Sequence, residues 1–265
     1  MECKRLAFFN EKGGCAKTTS IFHVAGILSS QGEKVLVIDF DKQCNATSAL
    51  LKSEESEYVK NESLTFMDFM LNKHSISLYD VVKKNYIIGW GERNPKYRNI
   101  DVLPADTRFQ FQDLLREVNI KSELDDFIKE NNYTWVLVDM PPSNLTINEI
   151  CFTQVANNVI VPFSSDEFSV DGFGDLMDTI NRAREYNDIH ILGIYLSRFM
   201  DTCAVDKFIR EQLEEFRDLF IDVQIPLRAD IREGVMFAKP INHYKKFSSS
   251  RTAYEKLVKE INVRI

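Results

Sequence analysis

Short apolar runs recur along the chain, and most are followed by residues with helical spacing. Leu6-Ala7-Phe8-Phe9 reads as a buried strand and Ile21 to Leu28 as the helix after it. Further strands are predicted at Lys34 to Phe40, Asn99 to Ala105, Trp135 to Asp139, Val159 to Phe163 and His190 to Leu196. Helices are predicted at Leu64 to Leu71, from Asp106 to about Val118, at Glu123 to Glu130, from about Val170 to Tyr186, at Asp206 to Leu219 and at Thr252 to Asn262. The charged stretch Lys52 to Glu62 and the run Gly89 to Arg98 read as connections. Strands that are apolar throughout and alternate with helices predict an α/β fold. The expected form is a doubly wound, mostly parallel sheet with helices on both faces.

The 265 residues fit one large α/β domain. Against 33 basic residues stand 40 acidic ones, a net charge of −7, which argues against a surface basic all over. The balance is uneven. From Gln224 onward nine basic residues face four acidic ones, a local net of +5 that leaves −12 for the rest. A basic tail on an acidic body suits contact with a phosphate backbone, and equally suits a solvated helix face. The five cysteines lack paired spacing and point to a reduced, cytosolic chain, and the four scattered histidines suggest no zinc site. No signal peptide precedes Lys4, and no apolar stretch is long enough for a bilayer.

The chemistry concentrates in Asn10-Glu11-Lys12-Gly13-Gly14-Cys15-Ala16-Lys17-Thr18-Thr19. Strand, glycine turn, lysine, two threonines and helix is the order a phosphate-binding loop needs. Gly13 and Gly14 let successive backbone N–H groups face one anion, those of Cys15 and Ala16 included. Lys17 reaches the β- and γ-phosphates, Thr18 can hold Mg²⁺, and Thr19 can reach the α-phosphate. Asp39 and Asp41 follow the second strand and Asp139 ends the fourth, where parallel sheets bind ligands. Asp41 suits orienting a water, Asp39 and Asp139 a metal shell. Taken alone, Asp39 is equally a turn cap and Asp139 a strand end.

Lys12-Gly13-Gly14-x-x-Lys17-Thr18 resembles the deviant Walker A loop of the ParA/MinD family of ATPases, with Ala16 where the standard loop has glycine. Asp39-x-Asp41-x-Gln43-x-Asn45-Ala46-Thr47 is similar to that family's D-x-D-P-Q-G-N-A-T segment, with Lys42 and Cys44 in place of Pro and Gly. Asp139-Met140-Pro141-Pro142-Ser143 matches its D-x-P-P-S, and Ile225-Pro226 with Lys239-Pro240 resembles its I-P and G-K-P stretch. The resemblance covers nearly the whole chain, least over residues 52–98, and is to the short ParA/Soj group without an N-terminal helix-turn-helix domain. It implies a P-loop ATPase using ATP and Mg²⁺, a homodimer on ATP binding, and Lys12 reaching the partner subunit's phosphates. It further implies adenine near Pro226 and Leu227, and non-specific double-stranded DNA held by Arg228, Arg232, Lys245, Lys246 and Arg251. Slow hydrolysis stimulated by a ParB-like activator, a cytoplasmic, nucleoid-associated location and no membrane contact complete the expectation. The alternatives are a MinD-like membrane cycle, an iron–sulfur ATPase, for which neither Cys151 nor Cys203 sits in a matching context, and a positioner of protein cargo.

Overall fold

A computed structural model describes residues 2–51, 64–84, 99–110, 112–115, 117–142, 144–164, 174, 177–178, 180–182, 184–185, 189–200, 211 and 214–265. The connections expected at 52–62 and 89–98, Ser143, and most of the helices expected at 170–186 and 206–219 lie outside the described residues.

Seven strands form one parallel sheet in the order β3-β2-β4-β1-β5-β6-β7. They are β1 (Lys4–Phe8), β2 (Val35–Asp39), β3 (Ile100–Leu103), β4 (Trp135–Asp139), β5 (Asn158–Ser164), β6 (His190–Phe199) and β7 (Phe220–Pro226). The expected doubly wound α/β architecture is the one observed. Successive side chains leave a strand on opposite faces, so each central strand feeds two cores. Leu6 and Phe8 of β1, Val35 and Val37 of β2, and Trp135 and Leu137 of β4 face one cluster. Ala7, Leu36, Ile38, Val136 and Val138 face the other. Burial on both sides explains why these strands are apolar without alternation.

On the first face lie α1 (Lys17–Ser30), α2 (Asn45–Leu50), α7 (Ala229–Met236), α8 (Ile241–Tyr244) and α9 (Ser249–Arg264). On the second lie α3 (Phe66–Asn72), α4 (Leu78–Val81), α5 (Lys121–Glu130) and α6 (Leu145–Ile150). The apolar face of α9, Tyr254, Leu257, Val258 and Ile261, is buried as α9 packs on α1 and β7. Among the described residues no helix is long and apolar enough to cross a membrane.

Three segments differ from the sequence expectation. Residues Thr107–Gln110 and Gln112–Leu115 are two 3-10 turns, not one helix. Asp106 caps the first of them, its Oδ1 accepting the Arg108 N–H at 2.7 Å. The described end of the helix expected at 206–219, Glu214–Leu219, is also 3-10. Strand β7 and helix α6 were not expected. β7 is an edge strand whose polar Asp222 and Gln224 interrupt the apolar run, with Ile221, Val223 and Ile225 buried. α6 begins after two prolines and is capped by Asn144, whose Oδ1 accepts the Ile147 N–H at 3.0 Å.

One buried histidine ties the first face together. His23 of α1 approaches the Ile231 carbonyl of α7 with Nε2 at 3.1 Å and accepts the Ile241 N–H of α8 on Nδ1 at 3.0 Å. These partners fix the neutral tautomer with the proton on Nε2. Close approach here also needs Gly26, because a Cβ on it would lie 2.2 Å from Cβ of Pro240. Burial lowers the His23 pKa from 6.5 to about 4. The unfolded chain therefore binds a proton that the folded chain refuses, so stability is intact above pH 6.5 and lost as pH falls towards 4. In urea unfolding the wild type should lose about 3 kcal/mol over that window relative to His23→Gln. His23→Gln should be less stable at neutral pH but should lack this component of the acid sensitivity. Parallel acid profiles of the two proteins would refute the assignment.

Candidate functional site

The loop from Asn10 to Ala16 joins β1 to α1 at the centre of the sheet. Its shape comes from alternating handedness. Gly14 (φ 85°) and Ala16 (φ 67°) are left-handed, with Cys15 between them. Such turns direct neighbouring N–H groups into one concavity. Ala16 gives α1 no side-chain cap and the first turn has no acidic residue, so the positive end of a 14-residue helix faces an anion without competition. Asn10 braces the entry: its Oδ1 accepts the Lys12 N–H and its Nδ2 donates to the Pro162 carbonyl, both at 2.9 Å. Lys17 is buried, and its Nζ donates to the carbonyls of Asn10 (2.9 Å) and Lys12 (3.0 Å).

The parallel register supplies the acidic groups. Asp139 is paired with Phe8 of β1 on one side and with Asp39 of β2 on the other. Thr18 Oγ1 donates to Asp139 Oδ2 at 2.6 Å, while Asp139 Oδ1 is buried without a hydrogen-bond partner. Burial, then the Asp39 charge, raises the Asp139 pKa above the carboxylate range, and the Thr18 hydroxyl and Lys17 ammonium oppose this. A carboxylate with one oxygen unsatisfied beside a threonine hydroxyl fits a divalent cation, whose charge would restore the ionised form. Among the described residues no cluster of three His, Cys, Asp or Glu forms a metal cage, so such an ion would take much of its shell from water and phosphate.

Asp39 is placed differently. Its Oδ2 accepts both the N–H and the hydroxyl of Thr47 at 2.8 Å, and its Oδ1 accepts the Asp41 N–H at 3.0 Å. Burial raises its pKa against these donors. The carboxylate thus braces the loop into α2, and Thr47 Oγ1 in turn accepts the Ala105 N–H at 3.0 Å. Asp41 accepts the Gln43 N–H at 2.9 Å and lies in the wall of the site.

A cavity of 730 Å³ opens over the loop. Its lining includes Gly13 through Thr19, Asp41, Pro226, Leu227, Arg228 and Arg232. Lys12 is half-buried and is not part of this wall. Lys245 and Lys246 are exposed outside it. Arg251 pairs with Glu255 at 2.8 Å and donates to the Lys246 carbonyl, and Arg228 reaches Ser249 at 3.0 Å. Cys151 is fully buried in the second core, and Cys203 lies outside the described residues. A larger cleft, of 1030 Å³, lies at the opposite, N-terminal ends of β1, β5 and β6.

The sequence pattern of the AAA domain family matches residues 3–191, most of the chain. The chain belongs to the AAA domain family. It is 27% identical to the chromosome partitioning protein ParA of Caulobacter vibrioides, over 97% of this chain and 92% of that one. It is equally identical to the sporulation initiation inhibitor protein Soj of Bacillus subtilis, over 97% and 98%. Among solved structures, apo McdA of Cyanothece superposes with a TM-score of 0.76 at 19% identity, covering 98% and 100%. The cell division ATPase MinD of Pyrococcus furiosus gives 0.73 at 19% identity, with both chains fully covered. Cobyrinic acid a,c-diamide synthase of Mycobacterium smegmatis, solved with ADP and magnesium, gives 0.74 at 19%, covering 97% and 93%. The resemblance to partition ATPases read from the motifs is shared by these relatives, and the fold is that of the structural neighbours.

Two members of this family member's site carry no sequence signal of their own. Ser197 Oγ donates to the Cys15 carbonyl at 2.8 Å, and Arg198 Nη1 to the Gly14 carbonyl at 3.0 Å. Both sit at the C-terminal end of β6, more than 180 positions from the loop. Only strand order brings them there. Ala16 and Cys44 stand where the motifs have glycine, and both are left-handed, at φ 67° and 52°. Each bears the Cβ clash that glycine avoids, roughly 1 kcal/mol. Ala16→Gly should therefore leave thermal stability unchanged or raise it by up to about 1 kcal/mol, whereas Ala16→Val should lower it by more than about 1 kcal/mol. Equal stability of the two variants in urea would contradict the left-handed assignment.

Proposed function

We propose that this protein is an ATP-hydrolysing partition switch that binds DNA non-specifically as an ATP-bound homodimer and leaves it when a ParB-like partner stimulates hydrolysis. The observation that carries the reading is one cavity lined by Lys17, Thr18, Asp41, Arg228 and Arg232, with Asp139 held behind it by the Thr18 hydroxyl at 2.6 Å. Loop N–H groups and the start of α1 bind the phosphates, and Lys17 exchanges its two carbonyl partners for phosphate oxygens. Thr18 and Asp139 would hold Mg²⁺, which would supply positive charge to the phosphates. Asp39, saturated by Thr47 and Asp41, supports that shell from behind by fixing the loop. Asp41 orients the attacking water. Pro226 and Leu227, in the lining of the same cavity, contact the adenine.

Lys12, outside the cavity wall of its own subunit, serves in this scheme the partner subunit's phosphates across a face-to-face dimer. Basal hydrolysis is slow, because a switch needs a lifetime. Arg228, Arg232, Lys245, Lys246 and Arg251 supply the phosphate-backbone contacts. Burial of the apolar face of α9 supports a DNA track over a membrane one. The relatives named for chromosome partitioning support the same reading. Burial of Cys151 speaks against an iron–sulfur role.

The test is DNA association with ATP, with ADP and without nucleotide, alongside hydrolysis. Wild type should bind only with ATP and more weakly as salt rises. Lys12→Ala should abolish ATP-dependent binding. Asp41→Ala should keep it while losing hydrolysis about a hundredfold or more. Lys245→Ala and Lys246→Ala should each reduce the slope of log affinity against log salt by about one. Absence of DNA binding in every nucleotide state would overturn the reading.

A further inference from the structure

We infer that Phe247 is a wedge that enters a base step of duplex DNA, set in a collar of basic side chains. The inference rests on the DNA-binding reading above and extends it by naming an apolar contact. Phe247 is 96% exposed, more than any other large apolar side chain among the described residues. The ring contributes nothing to the core and is open to a partner; what points to one is the basic segment that presents it.

The loop presenting it, between α8 and α9, is tied at several points. Lys245 N–H donates to the Ile241 carbonyl at 3.1 Å, and Ser248 Oγ donates to the Lys245 carbonyl at 3.4 Å. Ser248 also caps α9 by accepting the Arg251 N–H at 3.2 Å, and Arg251 Nη1 holds the Lys246 carbonyl at 2.9 Å. The ring thus projects from a fixed base.

The segment itself is basic, and the acids that touch it sit on its flanks: Glu233 on the Tyr244 hydroxyl at 2.9 Å, Asp230 on Ser250 at 2.8 Å and Glu255 on Arg251 at 2.8 Å. Gly234 through Tyr254 contain Lys239, Lys245, Lys246 and Arg251 but no Asp or Glu. Glu255, which pairs with Arg251, is the first acid beyond. Arg228 joins the collar through Ser249. Duplex DNA has the complementary layout, with rows of phosphates flanking stacked apolar base faces. Lysines meet the phosphates on either side while one ring parts a base step and bends the duplex. A bilayer asks for a broader apolar face, and the one on α9 is buried. The collar also connects to the nucleotide cavity, since Arg228 lines it.

The test uses the full chain with ATP and Mg²⁺ and a short duplex carrying end fluorophores and a fluorescent purine analogue at a TA step. Wild type should raise end-to-end energy transfer and brighten the analogue. Phe247→Ala should keep the melting temperature and the salt slope, lose both optical signals, and bind about tenfold more weakly. Phe247→Trp should retain the bend. Lys246→Ala should lose about one unit of salt slope yet still bend the DNA. If Phe247→Ala binds and bends like wild type while Lys246→Ala weakens binding, the wedge is wrong and the DNA reading stands. If wild type binds no DNA in any nucleotide state, both fall. Phe247-dependent binding to phosphatidylserine vesicles, with DNA binding unaffected, would overturn the wedge in favour of a membrane contact.

Discussion

The site depends on one register. β4 lies between β1 and β2, and Asp139 is level with Phe8 on one strand and Asp39 on the other. This alignment sets the phosphate loop, the metal-shell candidate and the braced aspartate at the same height above the sheet. A slip of one residue would turn Asp139 to the opposite face and exchange the two cores. Parallel strands buried on both faces resist such a slip, because every side chain along them is already matched to a helix layer.

Around that register the protein spends burial on polar groups. Lys17, Asp39, Asp41 and Asp139 are all nearly inaccessible. Each would be costly unpaired. Lys17 is satisfied by two loop carbonyls, and Asp39 by three donors from the following loop and helix. Asp139 keeps a buried oxygen without a partner. The asymmetry separates two aspartates that look alike in the sequence, one serving as a brace and the other as an open acceptor. Left-handed Ala16 and Cys44 add local backbone strain at the two loops meeting there.

The site also has a mechanical connection to the basic region. α1 begins at the phosphate loop, and its His23 bonds to α7 and α8. α7 follows Arg228 and carries Arg232, and α8 leads to the loop of Lys245 to Phe247. Movement at the start of α1 therefore meets a rigid, fully buried contact before reaching the basic surface.

The local sequence by itself determined the strand–loop–helix at the phosphate site, the strand ends bearing Asp39 and Asp139, and the doubly wound class. Each of these follows from short-range rules: apolar runs, glycine turns and the position of a carboxylate after a strand. The tertiary structure decided the rest. Edge strand β7 is half polar and shows no apolar run, and the segment after Asp106 forms two 3-10 turns where the pattern predicts one helix. Ser197 and Arg198 clamp the loop from a distant strand, and Asp39 is filled by Thr47. Pro226 and Leu227 reach the cavity because β7 ends there. Those facts depend on which strands become neighbours, and local pattern carries no record of that.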